Sequence, residues 1–105
     1  MRTDETSFFW SLADPLLTEE RITQGSIMGF PCLRIDGDFF ATCEHRSGDL
    51  VVKLPAERVQ ELIDDGTGQA FSPAGRRFRE WVRIPERDAK LWRKLMKEAR
   101  SFVGK

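Results

Sequence analysis

Residues 31–43 read PCLRIDGDFFATC, two apolar runs joined by Asp36-Gly37. An Asp-Gly pair suits the positive backbone angles of a type I′ turn, which joins two antiparallel strands through two residues. With that turn, Ile35 lies opposite Asp38. The stretch therefore predicts a β-hairpin around which the rest of the chain is organised.

The register of this hairpin also places the two cysteines. Continued from the turn, the pairing puts Leu33 opposite Phe40 and Cys32 opposite Ala41. Cys32 and Cys43 then share one side of the sheet as diagonal neighbours, roughly 7–8 Å apart, which is too wide for an unstrained disulfide. Apolar residues occur on both faces of the hairpin, so we expect helices or loops to cover much of each face.

Upstream of the hairpin, residues 5–18 carry apolar side chains at near-helical spacing. Pro15 interrupts this pattern, so the helix either stops near Ala13-Asp14 or restarts with Pro15 in its first turn. Ile22 to Met28 contains β-branched residues broken by Gly25. That pattern predicts a short edge strand with a bulge or a bend.

Downstream, turn residues and apolar periods predict further strands and helices. The predicted elements are a strand at Leu50–Leu54, a helix from Pro55 to Gly66, a loop through Gly68, Pro73 and Gly75, a strand at Phe78–Ile84, and a helix at about Asp88–Val103. With the hairpin, these elements predict an α+β fold: an antiparallel sheet of about five strands packed with N-terminal, middle and C-terminal helices.

Length and composition favour one soluble domain over residues 1–105. The chain has 105 residues, of which 40% are hydrophobic and 32% charged, enough apolar surface for one packed core. Asp4 and Glu5 stand where a signal peptide needs basic residues, and no apolar run is long enough to span a membrane. We expect a cytoplasmic protein whose two cysteines remain thiols.

The run Met28-Gly29-Phe30, the stretches Leu33–Ala41, Leu50–Pro55 and Glu80–Pro85, and the closing helix carry a resemblance to a known family. Over roughly residues 8–104 the chain resembles the TfoX N-terminal domain and the related YjbR/MmcQ-like proteins. The resemblance implies an antiparallel sheet packed with helices from both ends of the chain. It also implies an association with competence regulators and a DNA-binding label for the YjbR-like branch. The regulators carry a second, helical domain after this one, which a chain stopping at Lys105 lacks, and no catalytic residue is implied.

Catalytic and metal chemistry find few candidates in this sequence. Cys32, Cys43 and His45 are the only cysteine and histidine side chains, so a metal site or a Cys-His or Ser-His-Asp site would depend on them. Buried cysteines with an exposed turn histidine are the commoner pattern. We therefore expect no catalytic residue, no metal and no cofactor.

Charge is distributed unevenly along the chain. Residues 1–75 hold 6 basic and 13 acidic side chains, whereas residues 76–105 hold 11 basic and 4 acidic. Clustered Lys and Arg side chains favour nucleic acid or another anionic partner, because they exchange counterions for phosphates. Two halves of opposite charge can equally complement each other within one fold.

Two groups of basic residues are the candidate nucleic-acid contacts. Arg79, Trp81 and Arg83 alternate on one strand face and offer an aromatic platform between guanidinium groups, which Arg76 and Arg77 extend. The last helix presents Lys90, Arg93, Lys94 and Lys97, with Arg100 beyond them. For each group a structural explanation stays open: Trp81 packs under a terminal helix, and the helical row is a solvated face that suits the helix dipole.

The sequence thus predicts a non-enzymatic accessory or regulatory binding domain of the TfoX N-terminal type. Nucleic acid contacts through the basic C-terminal third are the first expectation. The alternative is a protein–protein interaction module, such as a homodimer, with no nucleic-acid role. Neither alternative involves a membrane.

Overall fold

The chain folds around one antiparallel sheet. The structure, a computed structural model, describes residues 7–27, 30–44, 47–72, 75 and 78–104. Within those residues the strands are β1 (Ile22–Ile27), β2 (Phe30–Ile35), β3 (Asp38–Cys43), β4 (Leu50–Lys53), β5 (Gln69–Ala70) and β6 (Trp81–Ile84). The helices are α1 (Ser7–Ala13), α2 (Ala56–Asp64) and α3 (Ala89–Val103). The predicted α+β class is confirmed.

The sheet has the strand order β1-β2-β3-β4-β6-β5. It holds one strand more than the approximate five that we expected, because Gln69 and Ala70 pair with Arg83 and Val82 where the sequence predicted a loop. The last strand is also shorter than predicted. It begins at Trp81, and Arg79 and Glu80 form a turn before it.

The central hairpin turns where the sequence predicted. Asp36 and Gly37 have φ angles of 53° and 88°, both positive as a type I′ turn requires, and Ile35 pairs with Asp38. The predicted register also holds for Arg34 opposite Phe39, and beyond that pair it is wrong by one residue. Leu33 pairs with Ala41 and Cys32 with Thr42, because the ladder contains a bulge at which β3 has one extra residue, Phe40.

This bulge changes which side chains reach the core. Phe40 and Ala41 are consecutive, yet both are fully buried in the same core. Cys43 belongs to that core, whereas Cys32 lies opposite Thr42 on the other face of the sheet. The prediction that the two cysteines share a face is therefore wrong. Both are buried free thiols.

The edge strand β1 is regular. Its pairing with β2 runs unbroken from Ile22 opposite Ile35 to Ile27 opposite Phe30, so the predicted edge position is confirmed and the ladder contains no bulge at Gly25. Gly25 instead leaves room for the side chain of Arg34. A Cβ atom at this position would lie 2.8 Å from Nε of Arg34, whose side chain crosses the glycine.

The described helices pack together on one face of the sheet. On the opposite face Cys32 and Val51 are 0% exposed, so both faces are covered at the centre of the sheet, in agreement with the expectation that neither face is open. α1 ends at Ala13 and the chain continues as a 3₁₀-helix, Asp14–Thr18, with Pro15 in its first turn. α3 begins at the Asp88 cap, whose carboxylate accepts from the Leu91 N–H at 3.1 Å. The helices supply to the shared core Phe9, Trp10, Leu12, Ala13, Val59, Leu62, Trp92, Leu95, Met96 and Ala99.

Among the described helices, none combines the length and the apolar character needed to cross a membrane.

Candidate nucleic-acid interface

The predicted contact residues on the last helix form one surface. Positions 90, 93, 94 and 97 follow the three- and four-residue spacing that places side chains on one helical face. The opposite face of α3 is drawn into the core by Trp92, Leu95 and Met96. The basic side chains are therefore exposed to solvent. We call this surface the α3 ridge; it consists of Lys90, Arg93, Lys94 and Lys97.

The α3 ridge has no counter-ions within the described part of the chain. None of its four cations takes part in an ion pair there. Two neighbouring arginines, in contrast, do form ion pairs. Arg58 lies with its Nε 2.9 Å from Oε1 of Glu98, and this hydrogen bond is the main reason that the pKa of Arg58 is raised. Arg100 donates to the carboxylate of Glu19.

The structure does not place Arg79, Trp81 and Arg83 together on one face of β6, as the sequence predicted. Arg79 is exposed but lies in the turn before the strand, and Arg76 and Arg77 lie outside the described residues. Trp81 and Arg83 do share a face, as predicted, but it is the sheet face opposite the helices. The seven described residues of the predicted set therefore do not form one continuous surface.

Arg83 is committed to contacts within the fold. Its Nε lies 3.5 Å from Oδ2 of Asp49, its Nη1 lies 3.6 Å from Oε2 of Glu44, and it also donates to the side chain of Gln69. Asp49 is only 8% exposed and binds Arg87 as well, at 2.9 Å. Sequence reasoning did not find this group, because its members come from four separate segments of the chain. Arg83 thus serves the fold rather than a ligand surface.

Two apolar grooves flank the α3 ridge. The α1–α3 groove, of 450 Å³, has Leu12, Leu16 and Met96 among its lining residues. The α2–α3 groove, of 630 Å³, is lined in part by Leu54 and Phe102. The ridge cations common to both grooves are Lys94 and Lys97.

A third depression lies at the end of the sheet, where Trp81 and the C-terminal end of α3 line the same hollow. We call it the sheet-end hollow. It has a volume of 590 Å³ and is lined by Gly37, Asp38, Phe39, Lys53, Glu80, Trp81, Phe102 and Val103. Trp81 lies directly opposite Lys53 in the ladder between β4 and β6. Because Phe102 lines both the hollow and the α2–α3 groove, the two depressions adjoin at this ring.

Sequence reasoning missed Phe39, Lys53 and Phe102 as members of a site. Lys53 gave a weak signal, since it ends the apolar run of β4 with a charge. Phe39 and Phe102 gave none, because apolar residues in a strand and in a helical stripe predict the core. Only the meeting of three chain segments at one end of the sheet brings these side chains together.

The described residues contain no group of three or more His, Cys, Asp or Glu side chains placed to hold a metal ion. His45, which sequence reasoning considered with the cysteines, lies outside the described residues. Cys32 and Cys43 are separated by the sheet. Burial also raises the pKa of the Cys32 thiol, which disfavours the thiolate that a metal or a nucleophilic reaction needs.

No known protein family, curated protein or solved structure matches this chain.

Proposed function

We propose that this chain is a non-enzymatic accessory or regulatory domain that binds nucleic acid through the α3 ridge. The observation that carries the proposal is the contrast between cations: among the described residues the four ridge cations form no ion pair, whereas Arg58, Arg83 and Arg100 are each paired with a carboxylate. A polyanion that lies along α3 supplies the missing counter-charges and releases the ions condensed on its own phosphates.

The resemblance to the TfoX N-terminal domain and the YjbR-like proteins supports the same proposal. We propose membership of that group on the motifs of the central hairpin, of β4 and of β6, together with the closing helix. The DNA-binding label of the YjbR-like branch agrees with a cationic ridge on that helix. A cytoplasmic location is part of the proposal, because two cysteines are too few for the disulfide framework of a small secreted domain.

The test is a fluorescence-anisotropy titration of labelled single-stranded and duplex oligonucleotides at about 50 mM salt. We expect binding that weakens steeply with salt. For four phosphate contacts, the slope of log K against log salt is about −3 on single strands. Lys94→Gln/Lys97→Gln removes two contacts and lowers the slope to about half.

Arg79→Gln is the matched control, because Arg79 is an exposed cation that belongs to the turn before β6 and not to α3. It should change both affinity and salt slope much less than Lys97→Gln does. If neither oligonucleotide binds at low salt, or if the ridge variant binds as the wild type does, the nucleic-acid proposal is lost.

The second candidate function is a protein–protein module that forms a homodimer. It is favoured by β1, a six-residue strand at the edge of the sheet whose partner in the sheet is β2. An edge strand of that length offers backbone donors and acceptors to a second chain. Light scattering at increasing protein concentration tests it, and a monomer throughout the range removes this candidate.

A further inference from the structure

The sheet-end hollow extends the α3 ridge into a second, chemically different surface. The ridge presents cations alone, while the hollow combines aromatic rings, one lysine and two carboxylates. Phosphates suit the first surface. The second suits a part of the ligand that is flat and uncharged, because Asp38 and Glu80 at the hollow repel an anion.

We propose that the chain is selective for single-stranded nucleic acid, with phosphates on the α3 ridge and an unpaired base in the sheet-end hollow, stacked on Trp81. This inference rests on the proposed function, since it needs the ridge to hold the backbone. A base that is paired within a duplex does not expose its flat face, so only a single strand can use both surfaces.

The α2–α3 groove connects the two surfaces, because it shares lysines with the ridge and Phe102 with the hollow. From Lys90 to Phe102 the helix rises by about 18 Å, at about 1.5 Å per residue. Lys94 and Lys97 line the α2–α3 groove, and Phe102 lines that groove and the hollow. A strand that lies along the ridge therefore reaches the hollow within a few nucleotides.

Each group in the hollow has a role toward a base. Trp81 is half-buried, so its indole is held by the fold while part of it stays open to a ligand. Lys53, opposite Trp81, can contact the phosphate next to the stacked base. The carboxylates of Asp38 and Glu80 accept hydrogen bonds from the amino groups of cytosine, adenine or guanine. Thymine offers no amino group.

The tryptophans give a direct readout. Trp10 and Trp92 are 3% and 0% exposed, so Trp81 is the tryptophan that a ligand can reach. We expect a single-stranded oligo-dC or oligo-dA to quench part of the intrinsic fluorescence, and a duplex of equal length to quench much less. Trp81→Phe should abolish this quenching. The wild-type measurement requires no substitution, so it stands even if a variant folds poorly.

Affinity measurements complete the test. Trp81→Ala should weaken single-strand binding about tenfold, because base–aromatic stacking contributes on that scale, and leave duplex binding nearly unchanged. Circular dichroism verifies that the variant is folded, and Lys53→Gln is a second, milder variant that should weaken single-strand binding alone.

The outcomes separate the two proposals. If no oligonucleotide binds, the proposed function and this inference both fail. If duplex and single strand bind equally, the ridge variant weakens both and Trp81 is not quenched, the proposed function stands and this inference is overturned. Polyglutamate is the probe for an acidic protein partner; it should bind the ridge without quenching Trp81. If polyglutamate binds as tightly as the single-stranded oligonucleotide and quenches Trp81 to the same extent, the proposal of a stacked base is overturned.

Discussion

Cys32 lies directly opposite Thr42 in the ladder between β2 and β3, and therefore on the sheet face away from Cys43. Both thiols are 0% exposed. We expect Ellman's reagent to label neither thiol in the folded protein within minutes, and both in 6 M guanidinium chloride, about the concentration that unfolds even hyperstable domains. Mild oxidation should give no intramolecular disulfide, because the sheet separates the two sulfur atoms. Rapid labelling of the folded protein would contradict this arrangement.

Burial also makes stability depend on the ionisation of Cys32 at alkaline pH. Desolvation is the main cause that raises the pKa of this thiol. The folded chain therefore keeps the thiol proton to a higher pH than the unfolded chain does. Above about 8.5, the ordinary thiol pKa, the unfolded chain ionises first, and the free energy of unfolding falls as the pH rises. The urea midpoint of the wild type should fall more between pH 8 and 10 than that of Cys32→Ala. If the urea midpoints of the wild type and of Cys32→Ala fall equally, ionisation of Cys32 is not the cause of the alkaline loss of stability.

Arg21 links Asp36, in the central turn, to the C-terminal end of α3. Arg21 donates to both carboxylate oxygens of Asp36 and, at 2.9 Å, to the carbonyl oxygen of Gly104. The hydrogen bond from Arg21 is the main cause that lowers the pKa of Asp36. The contribution of the Arg21–Asp36 ion pair to stability is present at neutral pH and is lost as the pH falls through that lowered pKa.

Asp36→Asn should therefore flatten the acid side of a plot of Tm against pH. Asn keeps the turn, since it tolerates the positive φ of 53° found at this position. Adding Arg21→Gln to this variant should change the acid limb no further. If the Tm of Asp36→Asn falls at acid pH as steeply as that of the wild type, other carboxyl groups cause the acid loss of stability.

Gly68 is a position where a single methyl group does not fit. A Cβ atom there would lie 2.6 Å from Cγ2 of Val82, and 3.3 Å from both Cδ1 of Ile84 and Cβ of Leu62. Gly68→Ala should lower the free energy of unfolding by about 1–3 kcal/mol, as overpacking of a core does. Gly25→Ala is the control, because the atom that it meets belongs to the flexible Arg34 side chain. Chemical denaturation should rank Gly68→Ala as clearly the more destabilising change.

Asp49 holds two arginines from one buried position. It accepts from Nη1 of Arg87 at 2.9 Å and lies 3.5 Å from Nε of Arg83. Asp49→Ala leaves both guanidinium groups without this partner and should lower the free energy of unfolding by about 2 kcal/mol. Glu44→Ala is the matched control. Its carboxylate is less buried and lies 3.6 Å from Arg83, so the loss should be smaller. Equal losses in urea denaturation would contradict the central role of Asp49.

Local sequence patterns predicted most of the secondary structure and part of the candidate site. The turn at Asp36-Gly37 follows from backbone angles that few residue pairs adopt easily. The α3 ridge follows from helical spacing, because an apolar stripe that enters the core leaves its opposite face in solvent. The sequence could not show that Arg83 is occupied, because its carboxylate partners lie more than 30 positions away in the chain.

The central hairpin shows where local information ends. Its turn depends on two adjacent residues, so the sequence alone determined it. The bulge at Phe40 does not, because it arises from fitting two consecutive side chains into one core that distant helices complete. The same holds for the sheet-end hollow, where residues from the hairpin, β4, β6 and α3 meet. The sequence by itself determined the turns, the helical faces and the charge of the ridge, because these depend on neighbouring residues. Only the tertiary structure decided the register, the faces of the two cysteines and the meeting of Trp81 with the C-terminal end of α3 at one hollow, because these depend on how distant segments pack.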